Sequence, residues 1–285
     1  IGAGQNALVI APTGSGKTLA AFMQAIDQLF RERETQAESP AKPSQRVTRI
    51  LYISPIKALG ADVQRNLRVP LHGITAQRER RGDAAVEISV GMRTGDTPSN
   101  ERARLLRRPP DILITTPESL YLMLTSRARE TLRGVQTVIV DEVHAVAGGK
   151  RGSHLALSLE RLDALLSVPV QRVGLSATVR PVELVAQFLG GQRPVTVVNP
   201  SSHRTFDLRI VVPVEDMADI PARNNNPSGE GAADREGSIW PHVEASILDQ
   251  VLRRHSTIVF TNSRGLAEKL TARLNELYAE RLALD

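Results

Sequence analysis

The sequence predicts an α/β protein built on a mostly parallel sheet, and three observations carry that prediction. Short apolar runs alternate along the chain with amphipathic helical patterns. The runs are apolar at nearly every position, as expected of strands covered by helices on both faces. The first run leads straight into a glycine-rich loop with a helical pattern behind it.

Taken in order, strands are expected at 7–11, 50–54, 86–90, 112–115, 138–140, 172–176 and 195–198. Helices are expected at 17–30, 56–67, 99–106, 118–124, 153–166 and 181–189. Residues 31–46 are polar and charged and include Pro40 and Pro43, so they read as an exposed loop. These elements make a first domain over 1–200. A second α/β domain over 201–285 begins with a strand at 206–212. An aperiodic stretch at 222–237, rich in Asn, Gly and acids, is expected to be mobile. A helix at 242–254, a strand at 257–260 and a closing helix from Ser263 complete the list, with Trp240 expected in the core.

Composition narrows the function classes. A hydrophobic fraction of 41% and a charged fraction of 24% are ordinary for a soluble globular chain. No apolar run reaches membrane-span length and no signal peptide opens the sequence, so no membrane partner is expected. The absence of cysteine excludes a disulfide framework or a thiolate metal site and fits a cytoplasmic protein. His144, His154 and Glu160 do not have zinc-ligand spacing. The net charge is +5, and residues 65–133 hold thirteen arginines and no lysine against eight acids. Such a surplus suits contact with a phosphate backbone, and by charge alone it suits a solvated surface equally well.

The glycine-rich loop is Ala11-Pro12-Thr13-Gly14-Ser15-Gly16-Lys17-Thr18. Strand before and helix after make it a P-loop for ATP. Gly14 and Gly16 let the backbone curl so that its N–H groups, with those of Thr13 and Ser15, face phosphate oxygens at a helix N-terminus. Lys17 is expected on the β- and γ-phosphates and the Thr18 hydroxyl on Mg²⁺. The second run of chemistry is Val138-Ile139-Val140-Asp141-Glu142-Val143-His144. A buried strand ending in two acids places Asp141 on Mg²⁺, directly or through water, and Glu142 as the base for an attacking water.

In order and spacing these residues resemble superfamily 2 helicases. The resemblance implies a RecA-like P-loop NTPase lobe followed by the start of a second RecA-like lobe. Asp141-Glu142-Val143-His144 is similar to a DExH box, and Ser176-Ala177-Thr178 to the motif coupling hydrolysis to movement. His144 is then implied to contact Ser176 or Thr178. Segments resembling the family's strand-contacting motifs supply Pro55, Lys57 and Arg65, then Thr94 and Gly95, then Thr115 and Thr116. Thr261 and Asn262 lie in a segment resembling motif IV. Each threonine could equally be a helix cap. Flanking residues, including Lys150-Arg151-Gly152-Ser153-His154-Leu155 and Gly237-Ser238-Ile239-Trp240-Pro241, resemble the large helicase-related (Lhr-type) bacterial helicases.

That resemblance implies 3′-to-5′ movement on single-stranded DNA and unwinding of DNA or RNA:DNA duplexes in DNA repair. It also implies a monomeric ATPase core in the bacterial cytoplasm, at the nucleoid. Because Ile1 opens the chain just before the P-loop and motifs V and VI are not found, the sequence is expected to be cut at both ends. It is then joined, in the intact protein, to the rest of the second lobe and C-terminal domains, and alone it should bind ATP weakly and hydrolyse it poorly. A nucleic-acid-binding module with a vestigial ATP site, and a P-loop ATPase unrelated to nucleic acid, are the competing readings.

Overall fold

The computed structural model describes residues 1–38, 46–83, 86–177, 179–200, 207–214 and 239–283, without the side chains of 36–38. It divides into two compact units, Ile1–His203 and Arg204–Asp285. Thr178, Phe206 and the 222–237 stretch lie outside the described residues.

In the first unit β1 (Ala7–Ile10) enters the glycine-rich loop, and α1 (Lys17–Glu38) leaves it. The helix continues into the segment expected to be a loop. Arg, Glu and Gln are good helix formers, and the charges there have partners. Arg31 pairs with Asp27 one turn back at 2.9 Å, Glu32 lies 3.5 Å from Arg49, and Arg33 reaches Asp111. β2 (Ile50–Ile53) is followed by α2 (Lys57–Arg81), which passes through Pro70 and ends at Gly82 in the left-handed conformation. Its expected end at residue 67 was too early. β3 (Val90–Arg93) lies further along than 86–90, because the ladder with its neighbour begins only at Val90. Asp111 holds the approach, accepting from the Ser89 amide at 2.9 Å and hydroxyl at 2.7 Å.

Then come α3 (Ser99–Arg107), β4 (Ile112–Thr115), α4 (Pro117–Leu124) and a 3-10 turn (Arg127–Leu132). Next are β5 (Thr137–Val140), the short α5 (His144–Ala147), α6 (Lys150–Leu165) and β6 (Gln171–Ser176). α7 (Val182–Gly190) and β7 (Thr196–Val198) close the unit. The 3-10 turn and α5 are too short to show a helical period, and neither was expected from the sequence.

The seven strands form one sheet in the order β3-β4-β2-β5-β6-β1-β7, parallel at every pairing. Alternate residues serve opposite faces. Leu8, Ile10, Leu51, Ile53, Val138 and Val140 pack with α4, α6 and α7. Ile50, Tyr52, Ile139, Val173 and Leu175 pack with α1 and α2 on the other face. All seven strands therefore deliver their carboxyl ends, and the loops after them, to one edge, which is where open parallel sheets bind ligands.

In the second unit α8 (Trp240–Leu252) and α9 (Arg264–Leu282) pack through buried Leu248 and Leu270. Arg273 reaches Glu244 at 3.2 Å and Arg281 reaches Asp249 at 2.7 Å. The strands expected at 206–212 and 257–260 are not formed among the described residues, since neither finds a ladder partner there. Ile258 and Phe260 are exposed, and Trp240, expected in the core, is 46% exposed.

One buried cation ties the first unit's elements together. Arg172 of β6, 1% exposed, donates to Glu160 at 2.9 Å, to the Leu189 carbonyl at 3.0 Å and to Asp163. Asp163 also accepts from Arg193 at 2.7 Å, so α6, β6, α7 and the approach to β7 share one network. Arg172→Ala should cost about 3 kcal/mol, the scale for removing one partner of a buried charge cluster, seen as a lower midpoint in chemical denaturation. Arg172→Lys should recover only part of the loss, because an ammonium cannot fork between two carboxylates.

Candidate nucleotide site and neighbouring loops

The glycine-rich loop caps the carboxyl end of β1. Gly14 and Gly16 hold φ of 81° and 82°, a region costly for any residue with a Cβ, and the Ser15 amide donates to the Pro12 carbonyl at 3.2 Å. α1 begins at Lys17, so its first-turn N–H groups open toward the loop. Thr13, Gly14, Ser15 and Gly16 are exposed and Thr18 is half-buried. The Lys17 side chain is buried, its Nζ 3.5 Å from the Ala11 carbonyl and 3.7 Å from Glu142 Oε1.

β6 lies between β1 and β5, and its last residue touches the loops at the ends of both neighbours. The Ser176 carbonyl accepts the Ala11 amide at 3.1 Å. The Ser176 hydroxyl lies 3.1 Å from His144 Nδ1, which is also 3.3 Å from Glu142 Oε2. With a proton on Nδ1 the imidazole donates to either oxygen; without it, Nδ1 accepts only from the serine hydroxyl.

Between β5 and α5 the chain turns at Glu142, whose φ of 45° is uncommon for a residue with a side chain. Three hydrogen bonds fix the turn. The Glu142 amide donates to Asp141 Oδ1 at 2.9 Å, the Val143 amide to the Leu175 carbonyl at 3.0 Å, and the Ala145 amide to the Glu142 carbonyl at 2.8 Å. Asp141 is 6% exposed, and its Oδ2 accepts from the Tyr52 hydroxyl.

These donors fit Mg²⁺ with a nucleotide. A single carboxylate and a hydroxyl suit an ion that keeps its waters and phosphate oxygens, not one caged by protein. Among the described residues no cluster of three or more His, Asp or Glu could hold a metal alone. His154 packs on Tyr121 with ring centroids 4.6 Å apart, and Glu160 is occupied by Arg172, so they form no site with His144.

The other expected residues of this unit also lie on loops at the carboxyl edge, or just beyond. Pro55 joins β2 to α2, and Lys57, at the start of α2, pairs with Asp96; that partner holds the Asp96 carboxyl below its usual range. Arg65, a turn or more along α2, pairs with Asp62 at 2.6 Å. Thr94 is buried and its amide donates to Thr97 Oγ1 at 2.8 Å, while the exposed Gly95 gives its carbonyl to Arg102 at 2.6 Å. Thr115 is fully buried, and its hydroxyl donates to the Arg93 carbonyl at 2.8 Å, which leaves no proton there for a phosphate. Thr116 caps α4, accepting the Ser119 amide at 3.4 Å with Pro117 behind it. In the second unit, the Thr261 hydroxyl donates to the Ser263 carbonyl at 3.0 Å and Asn262 is exposed. Burial works to raise the Glu118 carboxyl, but hydrogen bonds from Arg151 and its own backbone outweigh it and hold it low.

The profile of the DEAD/DEAH box helicase family matches residues 1–185. The chain belongs to that family. It is 68% identical over 278 residues to the Lhr helicase/uracil glycosylase of Escherichia coli K12, covering 98% of this chain and 18% of that protein. It is 59% identical over 285 residues to the Lhr helicase/probable uracil glycosylase of Mycolicibacterium smegmatis, covering 100% of this chain and again 18% of the relative. The chain thus spans under a fifth of either relative. Among solved structures it resembles Mycobacterium smegmatis helicase Lhr bound to ssDNA and AMP-PNP, at 58% identity and a TM-score of 0.76, over 99% of this chain and 33% of that one. The fold is that of RecA-like helicases.

Tyr52 of this helicase-family chain was missed in the sequence, although a signal was present. It carries the lone side-chain polar group in the run Ile50-Leu51-Tyr52-Ile53, and a buried phenol needs a partner. Register supplies it: Tyr52 pairs with Ile139, so Asp141, two residues on, faces the same side. Phe22 of α1 stacks on the ring at 5.3 Å. Burial, then the adjacent Asp141 charge, push the phenol well above its ordinary range. The neutral phenol is favoured by folding, so its contribution is intact below the unfolded-state pKa of about 10 and is lost as pH rises above it. Thermal midpoints measured between pH 8 and pH values above about 10 should fall more steeply for the native protein than for Tyr52→Phe.

Proposed function

We propose that this chain is the nucleotide-binding part of an ATP-driven helicase that moves 3′ to 5′ on single-stranded DNA. In this reading it unwinds DNA and RNA:DNA duplexes during DNA repair, in the bacterial cytoplasm at the nucleoid. The observation that carries the motor reading is Ser176, whose carbonyl holds the P-loop backbone while its hydroxyl meets the DEVH histidine. A vestigial site would have no reason to keep Lys17, Thr18, Asp141 and Glu142 together with that link.

The roles come from position. Backbone N–H groups of residues 13–18 and the Lys17 ammonium receive the phosphates. Thr18 and Asp141 would hold Mg²⁺, which would neutralise phosphate charge. Tyr52 and the Glu142 amide keep the Asp141 carboxylate oriented. Glu142 takes the proton of the attacking water, and its fixed turn aims the carboxylate. His144 reads the state of Glu142 and passes it to Ser176, with Thr178 assigned to the same coupling motif.

Strand contact falls to the loops carrying Pro55, Lys57, Thr94, Gly95 and Thr116, with Arg65 beside them and Thr261 and Asn262 from the second lobe. Backbone amides and helix N-termini dominate these contacts, so the motor reads no bases. The domains are a first lobe over 1–200 and the start of a second over 201–285. The Lhr helicase resolved with ssDNA and AMP-PNP supports both ligands. The chain spans 18% of each of these relatives, and in this reading the intact protein is the competent motor while the segment alone hydrolyses ATP poorly.

In the full-length protein Glu142→Gln should retain nucleotide binding and lower kcat by about a hundredfold or more, the scale of a lost general base. Lys17→Ala should abolish ATPase and spare much of the strand binding. Titrating the ATPase with single-stranded DNA, single-stranded RNA and duplexes tailed at either end tests substrate and direction. A preference for 5′ tails would remove the 3′-to-5′ assignment, and unwinding unchanged by Lys17→Ala would remove the motor.

A further inference from the structure

Arg151 joins three segments that the sheet keeps apart. Its Nε donates to Glu118 Oε1 at 2.7 Å, and a terminal nitrogen donates to the Pro55 carbonyl at 2.9 Å. Pro55 comes after β2, and Glu118 lies in the first turn of α4, directly after β4. Arg151 itself belongs to the first turn of α6, on the β5 side. In the sheet β2 lies between β4 and β5, so one guanidinium spans the carboxyl ends of three adjacent strands.

The arginine follows the DEVH turn closely along the chain. The Ala147 amide donates to the Val143 carbonyl at 2.9 Å, Gly149 to Val146 at 3.2 Å, and Gly152 to Gly149 at 2.9 Å. A Cβ on Gly152 would lie 2.2 Å from the Val146 carbonyl oxygen, so α6 starts in direct backbone contact with the α5 turn. From His144 to Arg151 the chain is a compact stretch closed by these backbone hydrogen bonds.

We infer that Arg151 is a positioning residue that transmits the state of the DEVH turn to the Pro55 and Glu118 loops, setting how they grip the strand. The inference rests on the helicase reading above. It goes beyond that reading by giving a role to a residue that touches neither nucleotide nor reacting atoms. The bland alternative is a half-exposed surface ion pair, with side chains 51% and 55% exposed. Such a pair contributes little to stability and nothing to strand response. What sets this one apart is the backbone carbonyl, which a planar fork reaches at the same time as the carboxylate.

The test uses the full-length protein with a fluorescent single-stranded DNA. Arg151→Ala should raise the DNA concentration for half-maximal ATPase stimulation by about tenfold, the scale of lost charge-assisted hydrogen bonds. Its nucleotide KM and thermal midpoint should stay near those of the native protein. Arg151→Lys should recover part of the effect, and Glu118→Gln added to Arg151→Ala should cost little more, since the two act through one contact. Unchanged DNA dependence in Arg151→Ala, with the native protein stimulated by DNA, overturns the inference alone. So does parallel loss of nucleotide KM and thermal midpoint, which marks a merely structural role. A native protein that single-stranded DNA does not stimulate overturns the helicase reading, and this inference with it.

Discussion

β6 must end between β1 and β5, and the first unit's chemistry is arranged around that placement. Parallel pairing on both sides brings Ser176 level with the start of the P-loop and with the DEVH turn. Its backbone and side chain then serve different neighbours, the carbonyl taking the Ala11 amide and the hydroxyl meeting His144. An antiparallel neighbour would send one of those loops to the opposite edge. The sheet order thus does what no single residue could: it places two sequence-distant loops about one serine's reach apart.

The two acids at the end of β5 are separated by how they are held. Asp141 is desolvated, and both its oxygens accept hydrogen bonds, from the Tyr52 phenol and from the Glu142 amide. Glu142 is less buried, carries a left-handed backbone, and faces Lys17 on one oxygen and His144 on the other. A fixed, buried carboxylate suits a metal ligand, and one among exchangeable partners suits a base. The difference in environment supports the roles proposed for Asp141 and Glu142.

Much of this was legible in the sequence. Apolar runs located β1, β2, β4, β5 and β6, because a strand buried on both faces has little choice of residue, and the more exposed β7 as well; the P-loop and DEVH segment announced themselves by residue type. What was not legible has physical reasons. Residues 31–38 are charged enough to pass for a loop, yet Asp27, Arg49 and Asp111 receive those charges and the helix continues. β3 slipped because only its neighbour's ladder, not its own composition, defines where pairing starts. At 257–260 composition favoured a strand, and without a partner among the described residues there is none. Arg151 carried no signal alone, since its meaning lies in two loops distant in sequence.

The arginine surplus changes meaning once partners are known. Arg65, Arg104 and Arg133 answer acids three residues away, on Asp62, Glu101 and Glu130, and Arg129 answers Glu130 as well. Ion pairs of that kind are helix and surface chemistry, screened by salt and of small energy. A basic composition is therefore poor evidence for a strand-binding face. The proposed strand contacts rest instead on position: the helix N-termini after Pro55 and at Pro117, Thr116 as the cap of the latter, and an exposed Gly95 between buried threonines, on loops at the sheet's carboxyl edge. Contacts of that sort act through dipoles and backbone donors, which move with the loops that carry them. In the proposed motor, loops joined by Arg151 to the DEVH turn give the strand contacts a link to the nucleotide site that a fixed field of charge would lack.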